Sequence, residues 1–135
     1  MTVQWSAGVR NAVLDAWETA IGATAKIEIR TGAQPANTAA AATGTVLATF
    51  TLAADWSANA ASGTKSISGL PITVAAAATG TAGHYRITDN AGTTCHEHGS
   101  VTATGGGGDA TIDNVAVVAA QNVSLTAYSK TAPHP

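Results

Sequence analysis

At Gly22 the apolar periodicity of this chain changes from helical to strand-like, and it does not change back. Before it, Val9, Val13, Ala16, Trp17, Ala20 and Ile21 recur at three- and four-residue spacing, one face of a helix over about 6–21. Ser6 suits the N-cap, where its hydroxyl accepts from a free backbone N–H, and Gly22 suits the left-handed residue that ends a helix. From Thr24 onward the period is two. Ile27 and Ile29 alternate with Lys26, Glu28 and Arg30, and Val46, Ala48, Phe50 and Leu52 alternate with Leu47, Thr49 and Thr51. A weaker strand runs from Thr64 to Leu70, and Pro71–Ala75 extends it or begins another. Tyr85 and Ile87 alternate with His84, Arg86 and Thr88, then a turn at Asp89–Gly92 leads into Thr93–Val101. Thr111–Ile112 and Asn122–Lys130 follow, the last with Val123, Leu125 and Ala127 on one face, and 131–135 reads as a tail. One helix and then seven or eight short strands predict a mainly β chain. The expected form is a single domain over 1–135, an antiparallel β-sandwich or jelly-roll-like fold with one N-terminal helix.

The core available to such a fold is thin. Hydrophobic residues make up 45% of the 135 residues, but 31 of them are alanine. The large inward residues reduce to Ile27, Ile29, Val46, Phe50, Leu52, Tyr85, Ile87, Val123 and Leu125, with Trp17 from the helix. A small domain with so few often draws part of its stability from a partner surface. Surplus alanine collects at 39–42 and 75–78, where it predicts close-fitting contact surface, with loops ordered by neighbours. Net charge is −2, with six basic residues against eight acidic, so no basic footprint for nucleic acid is expected. No apolar run is long enough for a membrane-spanning helix, and no basic-then-apolar leader is evident. A single cysteine excludes an intrachain disulfide.

The densest cluster of reactive side chains is Cys95-His96-Glu97-His98, with His84 on the preceding strand. A three-residue hairpin loop closing Asp89 on Thr93 pairs Arg86 with His96 and His84 with His98. His84, His96 and His98 then share one face, beside Arg86. Three imidazoles can ligate zinc, but cross-strand neighbours lie far apart, no supporting carboxylate is apparent, and Arg86 repels a cation. No metal and no cofactor are therefore expected. Cys95 and His96 point to opposite faces, so no thiol–imidazole pair forms, and no nucleophile–base–orienter set marks an enzyme. Glu97 falls on the core side beside Tyr85. It pairs with Lys or Arg at a subunit interface, or a bulge slips the register; the residues leave both open. Gly105–Gly108 is no phosphate loop, since no Gly-Lys-Ser/Thr follows; a plain linker or a loop draped over a neighbour is expected. Trp5 and Trp56 lie near element ends and either anchor a partner or cap the fold. With Pro35, Ala40 and Gly106 they are the interface candidates.

Several segments carry a resemblance. The helix end Ala20-Ile21-Gly22 leads into Ala25-Lys26-Ile27-Glu28-Ile29-Arg30, then Thr31-Gly32-Ala33-Gln34-Pro35-Ala36 and Gly44-Thr45-Val46-Leu47-Ala48. Later come Gly80-Thr81-Ala82-Gly83-His84-Tyr85-Arg86-Ile87-Thr88-Asp89 and Gly99-Ser100-Val101. Together they resemble a family of small tailed-bacteriophage virion structural proteins. Membership implies a role in the particle rather than a chemistry, and implies nothing for the His96-x-His98 pair. The expectation is a non-enzymatic capsid decoration (cement) protein on the head exterior. It would form a homo-oligomer and contact the major capsid protein or other virion proteins, through the helix or the loop Gly32–Gly44. The alternative is a tail or fibre component contributing to host-glycan recognition, with Trp56, Tyr128 and the His84/His96/His98 face as its surface. Neither nucleic acid nor a membrane is an expected partner.

Overall fold

A computed structural model describes residues 2–135. The helix α1 spans Ala7–Ile21 and is followed by nine strands. They are β1 (Lys26–Thr31), β2 (Val46–Thr51), β3 (Thr64–Ser66), β4 (Ile72–Ala75), β5 (Gly80–Thr88), β6 (Cys95–Ala103), β7 (Ala110–Ile112), β8 (Ala116–Val117) and β9 (Asn122–Thr131). Strand content is 41% against 11% helix, so the chain is mainly β with one N-terminal helix. The helix is capped at both ends as the sequence predicts. The Ser6 hydroxyl accepts from the Val9 amide, and Gly22, at φ 90°, donates its N–H to the Glu18 carbonyl.

The strands form one curled, mixed sheet shaped like half a barrel, in the order β2-β1-β5-β6-β7-β9-β3. Strand β4 also pairs with β9, and β8 with β5. The expected antiparallel pairing holds everywhere except between β6 and β7, which run parallel. A parallel connection ordinarily takes a dozen or more residues. Here Thr104–Asp109 suffices, because the chain doubles back directly over Thr102. A Cβ on Gly106 would lie 2.8 Å from the Thr102 side chain, and one on Gly108 2.9 Å from its amide nitrogen. Gly105 and Gly107 sit at φ 84° and 81°, where L side chains are strained. The glycine run is therefore an intrachain folding device rather than a linker.

The core is a single cluster built from Ile27, Ile29, Leu47, Phe50, Leu52, Trp56, Tyr85, Ile87, Ile112, Val123, Leu125 and Tyr128, among others. Leu47 takes the place expected for Val46. The β1–β2 register shifts between Ile29 and Arg30, so Ala48 faces Ile29 but Val46 faces Arg30. Leu47 is the extra residue and turns inward, which strict alternation does not anticipate.

The loop 32–44 is pinned by bonds within its own chain. The Asn37 side chain accepts from the amides of Ala39 and Ala40, and the Thr43 hydroxyl donates to the Ala33 carbonyl. Arg30 donates to the carbonyls of Thr43 and Gly44. The tail is tied down as well. Ala132 donates to the Gly63 carbonyl, Trp5 donates to the His134 carbonyl, and their rings meet at 4.8 Å.

Candidate interaction surface

Helix α1 docks on the sheet by its polar side. Arg10 donates to the Ala132 carbonyl through Nε and Nη2, at 3.3 and 3.0 Å. The Asn11 side-chain oxygen accepts from Gly63 N at 2.8 Å. Asp15 accepts from Ala60 N at 2.9 Å and from Lys65 Nζ at 2.6 Å, and Glu18 lies 2.8 Å from the same ammonium. The Lys65 side chain is wholly buried. Burial pushes its pKa down, but Asp15 and Glu18 outweigh that and hold it above the ordinary value. The Lys65 hydrogen bond, helped by the Ala60 amide, holds Asp15 below the usual carboxylate range. A buried ammonium left unpaired is prohibitive, so this lysine fixes which helix face turns inward.

The outcome rotates the helix away from the face expected from periodicity: Ile21 and Trp17 turn inward as expected, but Val9, Val13, Ala16 and Ala20 do not. Leu14 and Ile21 are its buried apolar residues, and Trp17 is half-buried. Val9 and Val13 remain 49% and 44% exposed, and Val3 just before the helix 60%. Ala12, Ala16 and Ala20 are exposed as well. At 100° per residue Val9, Ala12, Val13, Ala16 and Ala20 form one stripe opposite the docked residues. This stripe stays uncovered while Arg10, Asn11, Asp15 and Glu18 bond to the body of the chain.

A second polar cluster anchors the inner edge of the helix. Glu97 Oε1 accepts from the hydroxyls of Tyr85 and Tyr128 at 2.6 and 2.5 Å. Its Oε2 accepts from Trp17 Nε1 at 2.9 Å and from Lys130 Nζ at 2.6 Å. Trp17 stacks on Tyr128 at 6.0 Å and meets Trp56 edge-on at 5.3 Å, with Lys130 5.4 Å above its ring. Burial pushes the Glu97 carboxyl up, but Lys130, Tyr128 and Tyr85 together outweigh it and hold the pKa below the ordinary glutamate value. Burial, then the Glu97 carboxylate, push the Tyr85 phenol far up; Tyr128 is pushed far up by the same two causes. The cluster is a keystone joining α1, β5, β6 and β9.

Of the two explanations for an inward Glu97, its cation comes from Lys130 of the same chain, and a bulge is present as well. The β5–β6 register is Tyr85↔Gly99, Arg86↔His98, Ile87↔Glu97 and Thr88↔Cys95, leaving His96 as the extra residue. This corrects the expected pairing of Arg86 with His96 and His84 with His98. The turn is longer than a three-residue loop: Asp89 N donates to the Thr94 carbonyl, and the Asp89 carboxylate accepts from the Thr93 and Thr94 amides. His84 faces Ser100, is buried, and bonds through Nδ1 to the Gly32 carbonyl at 3.0 Å. Among the described residues no group of three or more His, Cys, Asp or Glu is gathered for a metal, so His84, His96 and His98 do not converge. The Cys95 thiol contacts the Glu97 carbonyl at 3.3 Å.

The interface candidates scatter. Trp56 is 2% exposed and donates from Nε1 to the Gly22 carbonyl, so it is a core residue unavailable to a partner. Pro35 is buried, and Trp5 is half-buried against His134. Ala40 is half-buried in the pinned loop, and exposed Gly106 is committed to the turn over Thr102. Tyr128 is buried on Glu97. Periodicity found the Val9 and Val13 stripe but placed it inward, whereas both side chains are exposed. The signal that could have shown this was Asp15 and Glu18, three residues apart on one helix face, with Lys65 in a strand otherwise free of charge. No family model, curated protein or solved structure matches the chain.

Proposed function

We propose that this protein is a structural component of a tailed-bacteriophage virion, a capsid decoration (cement) protein that braces the head shell without catalysis. The observation that carries the reading is the helix orientation: α1 bonds its charged side chains to the body of the chain and leaves Val9 and Val13 uncovered. In a decoration protein this stripe would be covered by the major capsid protein, another virion protein or a second copy. Low charge and a pinned 32–44 loop suit a subunit repeated many times in close packing. The segment resemblance running from Ala20 to Val101 supports a virion role. The tail or fibre alternative has less support, because Trp56 and Tyr128, the aromatics it needs for a glycan, are buried.

Immunogold labelling of intact phage particles with antibody to this chain tests the assignment. Gold on the head exterior is expected; gold confined to tails, or none on particles, overturns it. Particles stripped of the protein should lose resistance to heat, and unchanged resistance would remove the bracing role.

A further inference from the structure

The β5–β6 hairpin and the loop 32–44 enclose a cleft of about 510 Å³, lined by residues 38–42, by Gly92–Cys95 and by Arg86. That volume lies within the range of clefts that enclose a small organic group, about 300–1,000 Å³. Arg86 is the one charged residue in its lining. The chain has three arginines. Arg10 is satisfied by the Ala132 carbonyl, and Arg30 by Glu28 and two loop carbonyls. The Arg86 guanidinium makes no hydrogen bond or ion pair with another described residue, although the residue is half-buried.

The neighbouring charges are accounted for. Glu28 lies opposite Arg86 across β1–β5, but Arg30 Nε holds its carboxylate at 2.8 Å. Asp89 at the hairpin turn is occupied by the amides of Thr93 and Thr94 and by the Thr93 hydroxyl. His98 faces Arg86 across β5–β6, and its Nδ1 is buried without a partner. Both walls are fixed by the chain's own bonds, the loop by Asn37, Thr43 and Arg30 and the hairpin by Asp89. A ligand therefore meets a formed site and loses little in ordering it.

We propose that this cleft receives a carboxylate, the Glu or Asp side chain of a partner protein's segment, on the guanidinium of Arg86. A planar guanidinium matches a carboxylate through two parallel N–H···O bonds. The remaining lining is alanine methyls, threonine and loop main chain, which suits a polypeptide. No aromatic ring lines the cleft for a sugar ring to stack on. The inference holds whether or not the protein belongs to a virion, because it rests on the cleft alone.

The test is an NMR titration of the full chain with acetyl-Ala-Glu-Ala-amide, followed at the amides of 38–42 and 92–95. Saturable shifts confined to these residues are expected. Binding should weaken about tenfold or more with the Gln-containing peptide, and equally in Arg86→Gln, because a charge-assisted pair is lost. Arg86→Gln should fold normally, since the guanidinium has no partner in the chain. Glu28→Gln should tighten binding by removing the nearby negative charge, which provides a second check by gain of affinity. Absence of localised shifts, or shifts unchanged in Arg86→Gln, overturns the site. Binding of free glucuronate there without binding of the peptide overturns the choice of a polypeptide partner.

Discussion

Replacing Glu97 by Gln isolates the charge of the keystone while keeping its shape. The Gln oxygen can still accept from the Tyr85 and Tyr128 hydroxyls, which lie at 2.6 and 2.5 Å. Its amide nitrogen then faces two donors, Trp17 Nε1 and Lys130 Nζ, at the former Oε2 position. Hydrogen bonds to charged groups contribute about 1.5–3 kcal/mol each, and an orphaned buried donor costs about 1–3 kcal/mol. Lys130 recovers part of its loss, because its side chain is 36% exposed and can turn to water; the Glu97 side chain, at 13%, cannot. The expected destabilisation is about 2–4 kcal/mol, a large share of the roughly 5–15 kcal/mol that holds a domain folded. Urea unfolding followed by tryptophan fluorescence should show a lower midpoint at unchanged slope. The melting temperature should fall by roughly 6–16 °C for a chain of this length. Lys130→Met should cost less than Glu97→Gln. A Glu97→Gln midpoint within about 0.5 kcal/mol of the parent would refute the keystone argument.

Further outcomes follow from the same geometry. Asp15, Glu97 and Asp109 have folded pKa values below the ordinary 3.8, 4.5 and 3.8. Their stabilisation is present above those ordinary values and lost as pH falls through the lower folded ones, so acid unfolding by circular dichroism should be shallower in Asp15→Asn. Lys65 is raised above 10.5, so its contribution is complete below that pH and lost as alkali passes its folded value; Lys65→Met should show less of this alkaline loss. Gly106→Ala should cost about 1–3 kcal/mol in thermal unfolding, because its Cβ would meet Thr102 at 2.8 Å. Gly105→Ala meets no atom within 4 Å, so its cost, about 1–2 kcal/mol, should come from φ 84° alone. Val13→Asp should leave monomer stability within about 0.5 kcal/mol, yet abolish attachment to particles in a co-sedimentation assay.

Local signals carried much of the fold. Ser6 and Gly22 marked the helix ends because caps act through neighbours in sequence. The alternation of Ile27 with Ile29, and of Val123 with Leu125, placed their side chains in the core because one sheet face is buried. The readings that failed depend on distant partners. The helix face was right at Trp17 and Ile21 but wrong at Val9 and Val13, because Lys65, 50 residues beyond Asp15, pulls the acidic side inward. The β5–β6 register slipped because Asp89 closes a longer turn and His96 bulges, and two residues of shift separate the three histidines. The glycine run read as a loose loop because nothing local in it indicates a parallel β7. At the candidate surface, the residues that drew attention by type, Trp56 and Tyr128, lie in the interior, whereas two valines on the helix lie outside.

In a virion component of the kind proposed, the Val9–Val13 face of α1 is covered in the assembled particle. A cryo-electron reconstruction of the phage head at side-chain detail tests it most directly. The expected result is this chain on the outer shell, with Val9 and Val13 packed against a capsid subunit or a second copy. A chain absent from the head, or one bound there with that helix face open to solvent, would contradict it.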